Sequence, residues 1–131
     1  MAVSYDAAGQ ITNRLWKSGS ATNRSQALLW DGRGRLWKVS ERDDKKSGFD
    51  WVAVYDGLGR RLTTTTTTII VTNSVTNISA PRIISQYYDP EHRFLEIGVT
   101  ESGKTTWKLM GPDLNGVYGG MEGTGGFDAF V

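Results

Sequence analysis

The chain has 131 residues and a formal net charge of +1, from 15 basic and 14 acidic side chains spread along it. This balance excludes the electrostatic footprint of a nucleic-acid partner or of an anionic membrane surface, and no apolar run is long enough for a membrane helix. Sixteen glycines, three prolines and no cysteine favour short strands joined by glycine turns, without disulfides or thiolate chemistry. We therefore predict an all-β protein that has no nucleic-acid partner and does not insert into a membrane.

A short pattern recurs along the chain: an aromatic residue, Asp, two variable residues, Gly, and then Arg or Gln. Its aromatic positions are separated by 25, 25 and 33 residues, and the fourth copy has lost its glycine. Periods of this size are typical of repeat proteins, in which each unit packs mainly against its neighbours. The residues that carry the pattern are Tyr5, Asp6, Gly9, Trp30, Asp31, Gly34, Tyr55, Asp56, Gly59, Tyr88 and Asp89.

Each copy predicts a strand, a tight turn and a second strand. An Asp at the first position of a turn accepts hydrogen bonds from backbone N–H groups just after it, and a Gly three positions later adopts a left-handed conformation at little cost. The result is a series of antiparallel β-hairpins that form a twisted sheet or open ribbon with a period of about 25 residues. We predict a single domain, 1–131, with units at about 1–25, 26–48, 49–82 and 83–110 and a glycine-rich tail at 111–131.

The first half of the chain predicts two hairpins followed by a strong strand. The first hairpin covers 1–16, and the small polar residues at 17–25 predict a loop. The second hairpin covers 26–40, and the mixed charges at 41–48 predict a solvated connection. In 49–55, apolar residues at every second position predict a strand with Phe49, Trp51, Ala53 and Tyr55 on one face.

The second half begins with a β-branched segment. Six consecutive threonines continue into Ile, Ile, Val and Thr, so 63–72 predicts one long strand. An insertion loop at one edge is expected at 73–82, and a last full hairpin is expected at 94–110. The glycines of 111–126 are too frequent for a long regular element, so turns and close backbone contacts are expected there.

The repeated turn resembles the signature of the Rhs family of YD-repeat proteins. Tyr55-Asp56-Gly57-Leu58-Gly59-Arg60-Arg61-Leu62 is similar to the family's Tyr-Asp-x-x-Gly-Arg-Leu, and Trp30 to Leu36 differs only in its aromatic residue. The segment at 111–126 also resembles one that follows YD repeats in this family. The resemblance implies a β-hairpin scaffold located outside the cell or at its surface. This chain has too few hairpins for the family's hollow shell and lacks its closing core motif and toxin domain, so encapsulation and autoproteolysis are not expected.

The sequence does not predict an enzyme. His92 is the only histidine, and its place in the decayed turn is typical of a solvated loop residue. The repeated Asp residues are explained by turn formation, and no acidic cluster has the spacing of a metal site. We assign no catalytic residue, metal or cofactor.

Carbohydrate is the alternative ligand class. Trp37, Trp51 and Trp107 are candidate contacts for sugar rings, although packing in the core and in cross-strand pairs is the simpler explanation of these residues. Asn23 and Asn77 begin N-glycosylation triplets in predicted loops. The threonine run is a candidate for O-linked glycans, for a flat water-ordering ladder, or for a plain strand. Its members are Thr63, Thr64, Thr65, Thr66, Thr67 and Thr68.

The leading functional prediction is a structural module that assembles with itself. A ribbon of hairpins that does not close leaves unpaired backbone groups on its first and last strands, and such edges recruit other strands. Because the units are similar, the last strand of one copy could extend the sheet of the next, which predicts a head-to-tail fibre or stacked oligomer. A carbohydrate-binding module and a truncated fragment of a larger Rhs shell are the two alternatives.

Overall fold

The computed structural model describes residues 1–112, 116–117 and 127–130, the last of these for the backbone only. Within these residues all regular secondary structure is β, so the predicted all-β class is confirmed. The chain forms two compact units, Met1–Ile83 and Ile84–Val131. In the described part of the chain, no helix is long and apolar enough to cross a membrane. Most of the predicted tail, 113–115 and 118–126, lies outside the described residues.

The first unit contains a sheet of antiparallel strands in which each strand pairs with the next one in sequence. The strands are β1 (Ala2–Tyr5), β2 (Ile11–Ser18), β3 (Ala21–Trp30), β4 (Leu36–Asp43), β5 (Gly48–Tyr55), β6 (Arg61–Thr72) and β7 (Val75–Ile78). They follow the order β1-β2-β3-β4-β5-β6, and β7 pairs with the end of β6. Among the described strands, these pairings leave the sheet open.

The remaining strands are β8 (Arg82–Tyr88), β9 (Glu96–Glu101), β10 (Lys104–Met110) and β11 (Phe127–Phe130). The second unit contains β9 to β11 and all of β8 except its first two residues. Here β8 pairs with β9, β9 with β10 and β10 with β11, in each case antiparallel. The predicted last hairpin is present as β9 and β10, joined by a two-residue turn.

Two predicted loops are wrong because they are strands. In place of the loop at 17–25, β2 continues to Ser18 and β3 begins at Ala21, so that only Gly19 and Ser20 form the turn. The glycine, at φ 61°, allows this tight connection. In place of the insertion loop at 73–82, β7 folds back on β6. Both segments are polar because their side chains are exposed at the end of a sheet, and polarity alone does not distinguish such strands from loops.

The first sheet buries few side chains, and those that it buries lie on one face. Leu28 lies opposite Val39, and Ala53 lies opposite Thr64; these four residues are 5 to 9% exposed. Since side chains alternate along a strand, this front face also carries Trp51, the partner of Val39. The alternate positions of these strands, including Arg42, Asp50 and Ile69, lie on the back face.

Candidate functional site

The three glycine-containing copies of the pattern form the same turn. In each copy, Oδ1 of the Asp accepts hydrogen bonds from the backbone N–H groups two and four positions later, at 2.9 to 3.0 Å. The N–H of the glycine donates to the carbonyl of the Asp. Gly9, Gly34 and Gly59 have φ of 80°, 74° and 91°, which a residue with a Cβ adopts only at a cost. The predicted roles of Asp and Gly in these turns therefore agree with the geometry.

A fourth turn of this kind joins β4 to β5, where only a solvated connection was predicted. Oδ1 of Asp43 accepts from the N–H groups of Lys45 at 2.9 Å and Ser47 at 2.8 Å. The N–H of Lys46 donates to the carbonyl of Asp43 at 3.1 Å, as the glycines do in the other turns. Lys46 has φ of 69°. The sequence pattern missed this turn because a lysine occupies the glycine position.

The decayed copy in the second unit has a different geometry. Oδ1 of Asp89 accepts from the N–H groups of Glu91 and His92, both at 2.8 Å, and its own N–H donates to the carbonyl of Leu95. The hydrogen bond from the His92 N–H is the main cause that lowers the pKa of Asp89. The His92 side chain is 47% exposed and lies 3.3 Å from Asp89. Tyr88, which precedes this turn, is partly buried at the end of β8.

In two of the glycine turns, an arginine binds the turn carboxylate. Arg35 contacts Oδ2 of Asp31 at 2.7 Å, and Arg60 contacts Oδ2 of Asp56 at 2.6 Å. The pKa of Asp31 is lowered, mainly by the backbone N–H of Arg35. For Asp56, desolvation raises the pKa, but the hydrogen bonds from the side chain and backbone of Arg60 together outweigh it, so the pKa falls. These turns are therefore most stable with ionised carboxylates.

The aromatic residues of the second and third copies each bind the backbone of the copy before them. Nε1 of Trp30 donates to the carbonyl of Ile11 at 2.8 Å. The hydroxyl of Tyr55 donates to the carbonyl of Leu36 at the same distance, and both partners lie 25 residues further along the chain. Tyr5, the corresponding residue of β1, is 62% exposed. Equivalent hydrogen bonds thus join the second copy to the first and the third copy to the second.

Arginines strengthen the connection between the second and third turns. Arg33 donates to the carbonyl of Gly57 at 2.7 Å, and Arg35 donates to the carbonyl of Asp56 at 3.1 Å. The guanidinium group of Arg35 also lies 4.7 Å from the centre of the Tyr55 ring, a cation–π contact. One arginine therefore binds its own turn and the following one.

The predicted sugar contacts do not all lie in one unit. Trp37 and Trp51 share the front face of the first sheet, and Trp37 is 38% exposed. Trp107 belongs to the second unit, where its ring centre lies 5.5 Å from that of Tyr87. Gly98 lies between the two residues in the sheet, because it pairs with both, and its lack of a side chain leaves room for the Trp107 ring. Tyr87 and Trp107 are 41% and 45% exposed, so they offer an aromatic surface that the sequence analysis did not single out as a pair.

The glycosylation candidates lie in strands. Asn23 is in β3 and Asn77 is in β7, so their predicted loop positions are wrong, although both side chains are exposed. The threonine run lies in β6 and pairs with β5 along its whole length. Thr63, Thr65 and Thr67 face the back and Thr64, Thr66 and Thr68 face the front, so the six threonines do not form one flat ladder. Thr64 is 8% exposed.

Comparison with models of known protein families and with curated proteins finds no match. In the part of the chain that the structure describes, no group of three or more His, Asp or Glu side chains is arranged to hold a metal ion. The most distinctive feature of the described residues is therefore the set of Asp turns, which hydrogen bonds join to one another.

Proposed function

We propose that this chain is a structural module, a repeat β scaffold of the YD type that extends by adding hairpins at the edge of its sheet. The hydrogen bond from the aromatic residue of the second and third copies to the preceding copy is the single observation that carries this proposal. Trp30 and Tyr55 make it with different side-chain chemistry but with equivalent backbone acceptors. The recurrence indicates that the aromatic position serves to join units, which is the property required of a repeat scaffold.

The edge strand β1 is where a further hairpin would bind. Its neighbour on one side is β2, and in the described residues no strand covers its other side. Tyr5 occupies the position from which Trp30 and Tyr55 reach back to the preceding strand. We propose that β1 pairs with the last strand of a second copy, with the Tyr5 hydroxyl donating to a carbonyl of that strand. Repetition of this contact gives a head-to-tail fibre, which suits a location at the cell surface or outside the cell.

Sedimentation velocity over a range of concentrations tests this assembly. We expect the average mass of the purified chain to rise with concentration. Replacing Tyr5 with Phe should weaken association about fivefold, the effect of losing roughly one hydrogen bond. Tyr5→Trp should retain association, since Trp30 already shows that an indole makes this bond. A chain that stays monomeric at every concentration, or a Tyr5→Phe variant that associates normally, would contradict the proposal.

A carbohydrate-binding module is the second candidate, and the Tyr87–Trp107 pair favours it. Two exposed rings at 5.5 Å, supported by a glycine that lets Trp107 lie close to the sheet, give the apolar surface on which a sugar ring can stack. Thr100 donates to the Tyr87 hydroxyl at 3.2 Å and so holds that ring in place. This surface lies entirely within the second unit.

A glycan array separates the two candidates. If the pair binds sugar, wild-type protein should retain specific glycans, and Tyr87→Ala should abolish this binding. Trp107→Tyr should keep part of it, because an aromatic ring remains over Gly98. Trp37→Ala serves as a control at an exposed tryptophan of the other unit. If the array shows no glycan binding that depends on Tyr87, this second candidate is excluded.

A further inference from the structure

A groove lies on the back face of the first unit, between the Asp43–Ser47 turn and the β6–β7 hairpin. Its volume is about 610 Å³, within the range of small-ligand sites. Its lysines belong to the turn, its aliphatic side chains to β6, and its Asn, Ser and Thr side chains to the β6–β7 hairpin. The lining includes Lys45, Lys46, Ile69, Val71, Asn73 and Thr76. We call it the lysine groove.

Left-handed backbone at residues other than glycine is concentrated around this groove. Among the described residues, the non-glycine residues with positive φ are Lys46, Asn73, Ser74 and Ser102, and the first three line the lysine groove. Asn and Ser are common in the two-residue turn that joins β6 to β7. Lys46 is different, because the three sister turns place glycine at its position. Such conformations are retained where a site requires the side chain.

The charges around the groove favour an anion. Arg42 also lines it, but both Nη atoms of Arg42 are engaged, one with the carboxylate of Asp50 and the other with backbone carbonyls. Asp44 is an acidic residue of the lining. In the described residues, no ion pair holds the ammonium groups of Lys45 or Lys46, both of which are exposed. Besides the paired Arg42, the lining therefore carries two lysine side chains and one carboxylate, and this excess of cationic groups favours an anionic ligand.

We propose that the lysine groove binds an acidic saccharide, a carboxylated or sulfated sugar unit. Lys45 and Lys46 bind its anionic group through charge-assisted hydrogen bonds. Ile69 and Val71 contact the apolar face of the sugar ring, and the amide of Asn73 and the hydroxyl of Thr76 bind its hydroxyl groups. The groove lies on the face of the sheet opposite to Trp37 and Trp51, and the proposal is independent of the assembly through β1.

Titration calorimetry with a trigalacturonate probe tests the site, with a neutral galactose trisaccharide as control. We expect the acidic probe to bind and the neutral one to bind at least tenfold more weakly. We also expect added salt to weaken the binding of the acidic probe. Equal binding of both probes, or no binding of the acidic one, would overturn the proposal. A polyglutamate peptide that binds more tightly than the trisaccharide would overturn the assignment to saccharides.

Variants separate a binding role from a structural one. Lys46→Gly should weaken the binding of the acidic probe about tenfold. The same substitution should raise the midpoint temperature of unfolding, since glycine adopts the left-handed conformation of this turn at lower cost. Asp44→Asn should tighten binding about threefold by removing the opposing charge. Lys17→Gln changes an exposed lysine of β2 and should leave affinity unchanged. Unchanged affinity in Lys46→Gly would refute the proposal.

Discussion

Both ends of the first sheet contain the same Asp turn, but the turn differs in what surrounds it. At one end, the glycine turns are crossed by Arg33 and Arg35 and joined by the bonds from Trp30 and Tyr55. At the other end, the Asp43 turn keeps the hydrogen bonds but carries Lys46 in place of glycine and borders an open groove. The comparison shows that the Asp carboxylate specifies the turn. The residue at the fourth position of the turn, glycine or lysine, determines how much its left-handed conformation costs.

This difference suggests a division of roles between the two ends. The glycine end has low-cost backbone and many connections between copies, which suits a load-carrying scaffold. The lysine end retains an unfavourable backbone conformation and exposed charges, which suits recognition. Substitutions that change the backbone conformation or the connections at one end allow the two ends to be compared directly.

The largest effect is expected at Gly48, which follows the lysine turn. Its φ is not positive, but a Cβ there would collide with the backbone carbonyl of Glu41. Gly48→Ala should therefore lower the free energy of unfolding by about 3 kcal/mol, the upper range for overpacking against rigid backbone. Gly57→Ala is the matched control, because nothing lies within 4 Å of its Cβ, and it should change stability by less than about 0.5 kcal/mol. Urea unfolding measures both, and equal effects would show that this close approach is not required.

The next effect concerns the position that distinguishes the two kinds of turn. Gly59→Val places a β-branched side chain at φ 91° and should destabilise the protein by about 2 kcal/mol. Lys46→Gly makes the reverse change and should stabilise it by up to about 1 kcal/mol, reduced by the greater freedom of glycine in the unfolded chain. Thermal unfolding monitored by circular dichroism measures both changes in stability. If Gly59→Val leaves stability unchanged, the left-handed turn is not what holds this hairpin.

The sequence predicted the turns better than it predicted their surroundings. Asp-x-x-Gly identifies three turns because each residue has a specific conformational task, whereas the Asp43 turn lacks the glycine and was not recognised. The strand 49–55 was predicted because its front face alternates with a less apolar face. The segments 17–25 and 73–82 gave no such signal, because both of their faces are largely exposed and polar.

The bonds between copies were not predicted because their acceptors are backbone carbonyls. Any residue at positions 11 and 36 offers the same carbonyl, so the sequence carries no mark of the acceptor. A signal was present on the donor side: Trp30 and Tyr55 differ in shape, yet both have a polar group at the end of an aromatic ring. That shared property indicates a hydrogen bond rather than packing alone. The lysine groove could not be predicted because it depends on β7, which was predicted as loop.

A smaller effect should follow from breaking one bond between copies. Tyr55→Phe removes the hydroxyl that donates to Leu36 and leaves the ring under Arg35, so unfolding should become easier by about 1 kcal/mol. Tyr5→Phe is the control, since the Tyr5 side chain is 62% exposed, and it should be neutral for the stability of the monomer at low concentration. Chemical unfolding of both variants under the same conditions checks this difference. Equal stability of the two would mean that the hydroxyl bond does not stabilise the junction.

The smallest effect is the dependence of stability on pH. Because folding lowers the pKa of Asp31 and Asp56, both carboxylates stabilise the fold above the unfolded pKa of about 3.9, and this contribution disappears as pH falls through the lower folded pKa. Replacing both Arg35 and Arg60 with Gln, the residue that the first turn has at position 10, removes one cause of this lowering. Stability of the variant should therefore fall less between pH 5 and pH 3 than that of the wild type, measured by urea unfolding at each pH. Asp50 and Asp89, whose pKa values are also lowered, remain in both proteins and provide the common background. An identical fall in both proteins would show that the arginines connect the turns without contributing to the acid sensitivity of the glycine end.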